Sequence, residues 1–129
     1  MTVSLKTYRL AATGVALGLL AAAAAPASAH HSASMFDRTK PVIIKGTIKA
    51  FNWVNPHCSI LVIDEKTGET WNIESTSPGV LTRNGWTKRS LKPGDHVEMS
   101  VGPLRTGGPA GVIIDVKNLD TGETLKRAV

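Results

Sequence analysis

The stretch PVIIKGTIKAFNWV, residues 41–54, predicts a long first strand with a bend inside it. β-Branched and aromatic residues dominate the stretch, as they do in strands. Four of its residues share one face by the period of two: Ile44, Gly46, Ile48 and Ala50. Phe51 and Trp53 then fall on the opposite phase. This phase slip indicates a β-bulge near residues 49–51, and Gly46 in the middle of the strand is also typical of tight bending.

The rest of the chain alternates short apolar segments with turns. Further strands are predicted at residues 58–64, 70–75, 96–101 and 112–119, with a short last strand within residues 120–129. Residues 77–86 predict a short helix between the third and fourth strands. Ser77 suits the N-cap, Pro78 suits the first helical position and Gly85 suits the C-terminal stop.

This order of elements predicts an all-β fold with one short helix, a small OB-like barrel of five to six strands. In an OB-type barrel five strands form a closed sheet, and we expect the helix between the third and fourth of them. Closure explains the predicted bulge, because a long first strand must curve to pair on both of its sides. An open β-sandwich is the alternative, which the position of the helix disfavours.

The first 29 residues have the three parts of a secretory signal peptide. Lys6 and Arg9 give a positive start without acids, residues 10–25 are apolar, and residues 27–29 read ASA. The apolar run is shorter than the roughly 20 residues of a spanning helix, which disfavours the alternative of an uncleaved membrane anchor. We therefore expect export to the periplasm or secretion.

Cleavage decides which residue begins the mature chain. A cut after Ala29 makes His30 the amino terminus, and a cut after Ala27 is the alternative. The predicted division of the chain is a cleaved signal peptide over residues 1–29, a flexible lead-in over residues 30–40 and an OB-like barrel domain over residues 41–129.

The net charge of the chain disfavours some classes of partner, and its single cysteine is expected to be structural. The net charge of +5 falls to +3 when Lys6 and Arg9 leave with the signal peptide. An exported chain with this mild excess is not expected to bind nucleic acid, nor to span a membrane after cleavage. A small ligand, a metal ion or a periplasmic protein remains as partner. The single cysteine, Cys58, lies in the apolar run CSILVI and is predicted to be a small buried hydrophobe.

Several motifs together resemble a known family. They are AHHS…MFD, KGTIKAFNWVNPH, NGW…SLKPGD and GPLR.G..G. As a set, over residues 30–119, they resemble a family of small exported bacterial proteins with domain of unknown function 6152. The resemblance implies an exported β-rich domain and no assigned activity. Cys58 stands where that family more often has an apolar residue, which weakens any family-wide role for the thiol.

The sequence lacks the common catalytic motifs. It contains no G-x-S-x-G, no H-E-x-x-H, no glycine-rich phosphate loop and no cysteine pair, and its acids are scattered singly. We therefore expect an exported, non-catalytic binding module rather than an enzyme.

Copper is the expected metal if the module binds one, with His30, His31 and His57 as candidate ligands. The free amine and ring of an amino-terminal His30 chelate one ion, and a third nitrogen from His57 completes a planar set that suits Cu(II). A cut after Ala27 instead gives an amine, two amides and His30, which suits Cu(II) or Ni(II). Met35 and Met99 are candidate thioether ligands for Cu(I).

The alternative function uses no metal. In it the domain has a structural or partner-binding role and recognises a peptide, a glycan or a small anion. Trp53 and Asn55 near the first interstrand loop and Arg105 in the glycine-rich loop would hold that ligand, because these two loops flank the usual ligand face of OB-type barrels. In this interpretation His57 caps a turn, and His96 lies on a solvated strand face.

Overall fold

Strand β1 (Val42–Asn52) pairs with two neighbours in the computed structural model, which describes residues 33–126. It runs antiparallel to β2 (Ser59–Asp64) and to β4 (His96–Pro103). Its register against β2 shifts between Ile48 and Ala50, which confirms the predicted bulge. The bulge bends β1 so that one strand lines two sides of the barrel.

Closure of the barrel comes from a parallel pair. Strand β3 (Thr70–Glu74) follows β2, and β5 (Ala110–Asn118) follows β4. Asn72, Ile73 and Glu74 of β3 lie beside the first three residues of β5. These pairs close the sheet in the order β1-β2-β3-β5-β4, and β6 (Thr124–Lys126) adds a sixth strand to β5. The fold is therefore the predicted OB-like barrel and not a sandwich.

The helix α1 (Pro78–Arg83) is shorter than predicted, but its boundary residues are those expected. The Ser77 hydroxyl accepts a hydrogen bond from the Val80 backbone N–H, and Gly85 ends the helix with a φ of 84°. Trp86 follows, fully buried, and its indole N–H donates to the Lys126 carbonyl oxygen at 2.9 Å. None of the helices within residues 33–126 is long and apolar enough to cross a bilayer.

The interior of the barrel is apolar and includes Cys58 and Met99. Cys58 is fully buried, which confirms the sequence prediction, and desolvation raises the pKa of its thiol. Met99 is also fully buried in the core. Met99 therefore serves as a core residue, with its side chain shielded from solvent.

The sequence predicted that Gly46 allows β1 to bend. The structure shows in addition that the position has no room for a side chain. A Cβ on Gly46 would overlap the Ile63 carbonyl oxygen across the β1–β2 pair. The backbones of the two strands approach each other at the one residue without a side chain.

We expect Gly46→Ala to lower the free energy of unfolding by about 3 kcal/mol, because the added methyl group must push β2 away from β1. Urea denaturation of the mature protein measures this. Gly79→Ala is the matched control, since Gly79 is exposed in α1 and its added Cβ would meet only Arg83 Nη1, at 3.9 Å. The control should be neutral or slightly more stable. Equal stability of the two variants would contradict the close approach.

Candidate functional site

The described part of the lead-in lies against the barrel. Residues Ala33–Met35 form a 3₁₀ turn, and Phe36, only 6% exposed, forms a β-bridge with Leu104. The Asp37 backbone N–H donates to the Pro103 carbonyl oxygen at 2.8 Å. The expectation of a flexible segment over residues 30–40 therefore does not describe residues 33–37, which are bound to the end of β4 and the loop that follows it.

Arg105 makes three polar contacts with this segment. Its backbone N–H donates to the Met35 carbonyl oxygen at 2.9 Å, and its Nε donates to the Ser34 carbonyl oxygen at 3.0 Å. Its Nη1 forms an ion pair with Asp37 Oδ2 at 3.3 Å. We call these three contacts the Arg105 clasp. The residue predicted to bind a ligand anion thus binds the chain's own lead-in.

Asp37 is held in its ionised form within the clasp. A hydrogen bond from the Thr39 hydroxyl, at 2.6 Å, is the main reason that the pKa of Asp37 lies below its ordinary value. The Thr39 backbone N–H and the charge of Arg105 lower this pKa further. The carboxylate therefore remains an acceptor for Arg105 at all but strongly acidic pH.

The β1–β2 loop carries the other predicted site residues. The ring of Trp53 packs edge-on against Phe51 with centroids 5.5 Å apart, so Trp53 is partly a packing residue. Asn55 and His57 are exposed, and the peptide bond between Asn55 and Pro56 is cis. The His57 ring forms no hydrogen bond within residues 33–126, so the structure gives no sign that it caps a turn.

The predicted copper ligands are not assembled within the described residues. No group of three or more His, Cys, Asp or Glu side chains within residues 33–126 is arranged to hold a metal ion. His30 and His31 lie outside the described residues, so an amino-terminal metal site stays a prediction. His57 and Arg105 lie on the two loops that flank the OB ligand face, and the polar contacts of Arg105 go to the lead-in.

One polar pair was missed by the sequence reasoning. His96 is exposed, as expected, but it contacts Asp120. The His96 backbone N–H donates a hydrogen bond to Asp120 Oδ2 at 2.8 Å, and the His96 ring Nδ1 lies 3.1 Å from Asp120 Oδ1. The backbone hydrogen bond from His96 is the main reason that the pKa of Asp120 lies below its ordinary value. The pair joins β4 to the turn after β5 across 24 positions, a separation that no local pattern reveals.

Residues 16–113 match the model of a protein family described as a family of unknown function, DUF6152. The match covers more than half of the chain. The chain belongs to the DUF6152 family. No curated protein matches it.

The DUF6152 match contains both halves of the Arg105 clasp and the whole β1–β2 loop. Ser34 and Arg105 are 71 positions apart, so their contact depends on the barrel that lies between them in sequence. The match ends at residue 113, inside β5 and just after the three residues that pair with β3. All pairs that close the barrel therefore lie within the family region.

We expect Arg105→Ala to release the lead-in while the barrel stays folded, because two side-chain contacts of the clasp are lost. Hydrogen exchange of the Asp37 amide should accelerate by at least about fivefold, since local opening becomes easier. Arg89→Ala is the control, because Arg89 is exposed and its side chain has no ion-pair partner within residues 33–126. Unchanged exchange at Asp37 would show that the clasp does not hold the segment.

The lowered pKa of Asp120 predicts a dependence of stability on pH. A carboxyl whose folded pKa is depressed stabilises the fold above its unfolded pKa of about 3.9, and this contribution is lost as the pH falls through the folded pKa. Asp120→Asn should therefore lower the melting temperature at pH 6, and the difference from the native protein should shrink below pH 4. Melting curves from pH 2 to 7 test this. A constant difference across that range would contradict a charge-dependent role.

Proposed function

We propose that the protein is an exported, non-catalytic binding module that holds copper at its mature amino terminus. The observation that carries the proposal is the Arg105 clasp, which fixes the chain to the barrel at residues 34–37. A mature chain that begins at His30 has its free amine only four residues before this anchor. Signal cleavage would then create a ligand pair that the precursor lacks.

The chemistry of the proposed site follows from nitrogen ligands in a six-membered chelate ring, which five atoms of His30, from the α-amine nitrogen to Nδ1, form with the metal. The α-amine and the ring of His30 bind one Cu(II), and imidazole nitrogens from His31 or His57 fill further positions. His57 suits this role because its ring is exposed and makes no hydrogen bond within the described residues. Met35, 36% exposed and adjacent to the clasp, is the remaining thioether candidate for Cu(I).

The three groups with clearly shifted pKa values, Asp37, Cys58 and Asp120, do not suit general acid–base or thiolate chemistry near neutral pH. A general acid or base works best with a pKa near the operating pH. The pKa values of Asp37 and Asp120 are instead lowered, away from neutral pH. Cys58 is buried with a raised pKa, which disfavours the thiolate that a nucleophile needs.

A second candidate function is partner binding by the β1–β2 loop without a metal. Val54 favours it, because this apolar side chain is 56% exposed between the half-buried Trp53 and the exposed Asn55. A peptide or glycan would pack on Val54 and Trp53 and hydrogen-bond to Asn55. Arg105 contributes little to an anion site here, since its Nε and Nη1 already contact the lead-in.

The two functions differ in their dependence on the free amine of His30. We expect the mature protein to bind Cu(II) with an affinity that rises between pH 6 and 8, because an α-amine with a pKa of about 8 must lose its proton to bind. One extra residue ahead of His30 should weaken binding by more than about tenfold, because the amine and ring then no longer form the chelate. Competition with a chromophoric chelator measures the Cu(II) affinity of the mature protein at each pH and that of the extended protein.

Two histidine variants serve as graded controls for this experiment. His57→Ala should weaken Cu(II) binding less than the extension does, since the amine–imidazole pair remains. His96→Ala should leave Cu(II) binding unchanged, because the His96 ring, at the start of β4, contacts Asp120 in the turn after β5. Equal Cu(II) affinity of the native and extended proteins would overturn the copper proposal, as would a mature terminus located beyond His31.

A further inference from the structure

A segment between β3 and β4 carries only positive charge. From residue 75 to residue 94 the chain contains four cationic side chains and no acid. The four are Arg83, Lys88, Arg89 and Lys92. All are exposed, and none forms an ion pair within residues 33–126, where the ion pairs involve other residues. We call residues 83–92 the basic segment.

Buried anchors hold the basic segment in place. Trp86 and Leu91 are both in the core, so the cations between and beside them are presented from a fixed backbone. The Ser90 hydroxyl accepts a hydrogen bond from the Thr87 backbone N–H at 2.9 Å, and the Thr87 hydroxyl accepts one from the Arg89 backbone N–H at 3.2 Å. Each hydroxyl keeps its own O–H as a donor.

The basic segment forms one wall of a polar pocket of about 310 Å³. Thr87, Arg89, Ser90 and Lys92 line this wall. The turn between β5 and β6 also lines the pocket and forms its second wall, where Glu123 is exposed. Asp95 lies at the same pocket, and its Oδ2 accepts hydrogen bonds from the Lys92 backbone N–H and the Asn118 amide. Cations, hydroxyl donors and carboxylates therefore line the same pocket.

We infer that this pocket binds a small polar molecule that carries an oxyanion at one end and hydroxyl or amine donors at the other. The oxyanion, a phosphate or a carboxylate, contacts Arg89, Lys92 and the two hydroxyls. The donor end contacts Glu123 and Asp95. The pocket volume is at the lower end of that of small-molecule sites, which fits a ligand of monosaccharide size.

The two walls decide which ligands are selected. A bare anion gains the attraction of Arg89 and Lys92 but meets the carboxylates of Glu123 and Asp95, so its affinity is reduced. A neutral amine or polyol lacks the interaction with the cations. Only a molecule with both an oxyanion and donor groups interacts favourably with both the cations and the carboxylates. Preference for such a molecule distinguishes a specific site from general attraction of anions to a basic surface.

Four defined probes separate these cases: inorganic phosphate, glucosamine, glucosamine 6-phosphate and glucuronate. Each is titrated into the ¹⁵N-labelled mature protein, and the amide shifts of residues 87–92 and 118–123 report binding. Glucosamine 6-phosphate, which has both ends, should bind at least about tenfold more tightly than phosphate or glucosamine alone. Glucuronate shows whether a carboxylate replaces the phosphate as the oxyanion.

Charge reversal tests the assignment of the cationic wall. The double variant Arg89→Glu/Lys92→Glu should weaken glucosamine 6-phosphate binding by at least about tenfold. The matched control is Lys49→Glu/Lys66→Glu, which makes the same change of net charge at two exposed lysines outside the pocket and should bind within about twofold of the native protein. The amide spectra themselves show whether each variant is folded.

Three outcomes overturn the inference. The first is no concentration-dependent shift at residues 87–92 and 118–123 with any probe. The second is equal weakening in both double variants, which would mean that only the overall charge matters. The third is phosphate binding as tight as that of glucosamine 6-phosphate, which would remove the role of Glu123 and Asp95.

Discussion

The structure depends on one strand that pairs along both of its edges. β1 can do this because it bends at the bulge between Ile48 and Ala50 and because Gly46 lets β2 approach closely. Without the bend, β2 and β4 would lie in one open sheet, and β3 would not reach β5. Gly111, which lies beside Ile73 in the closing pair, is equally confined on its other side, since a Cβ on Gly111 would overlap Val101 Cγ1 of β4. Neither glycine leaves room for a side chain.

Closure of the barrel also brings together the residues of the Arg105 clasp, on which the proposed function rests. Because the barrel brings the end of β4 beside the lead-in, Arg105 can bind Ser34 and Asp37 from far along the chain. Residues 34–37 and the loop before β5 are thus held together, whereas the basic segment begins at the last residue of α1. Two binding surfaces with different chemistry, one of nitrogen ligands and one of paired charges, are proposed for one small domain. The copper proposal needs processing of the precursor, but the pocket does not.

Local patterns sufficed for the features that depend on neighbours in sequence. The phase slip at residues 49–51 revealed the bulge, and Ser77 with Gly85 revealed the helix boundaries to within a few residues. Features that depend on distant segments were not predicted. The Arg105 clasp and the burial of Phe36 need the finished barrel, so the sequence alone predicted a flexible lead-in over residues 30–40. Met99 alternates with polar residues as a half-buried strand does, and only closure of the sheet encloses it fully.

The bond from the Trp86 indole to the Lys126 carbonyl has a consequence for association between molecules. β5 pairs with β3 through residues 110–112, so the edge of its later residues would be open to strand addition if β6 were absent. Within the part of the chain that the structure describes, β6 covers that edge with three residues, and a strand of this length is itself a poor template for another chain. The core tryptophan holds this cover in place. A side chain that packs the interior thereby protects the barrel against edge-to-edge aggregation.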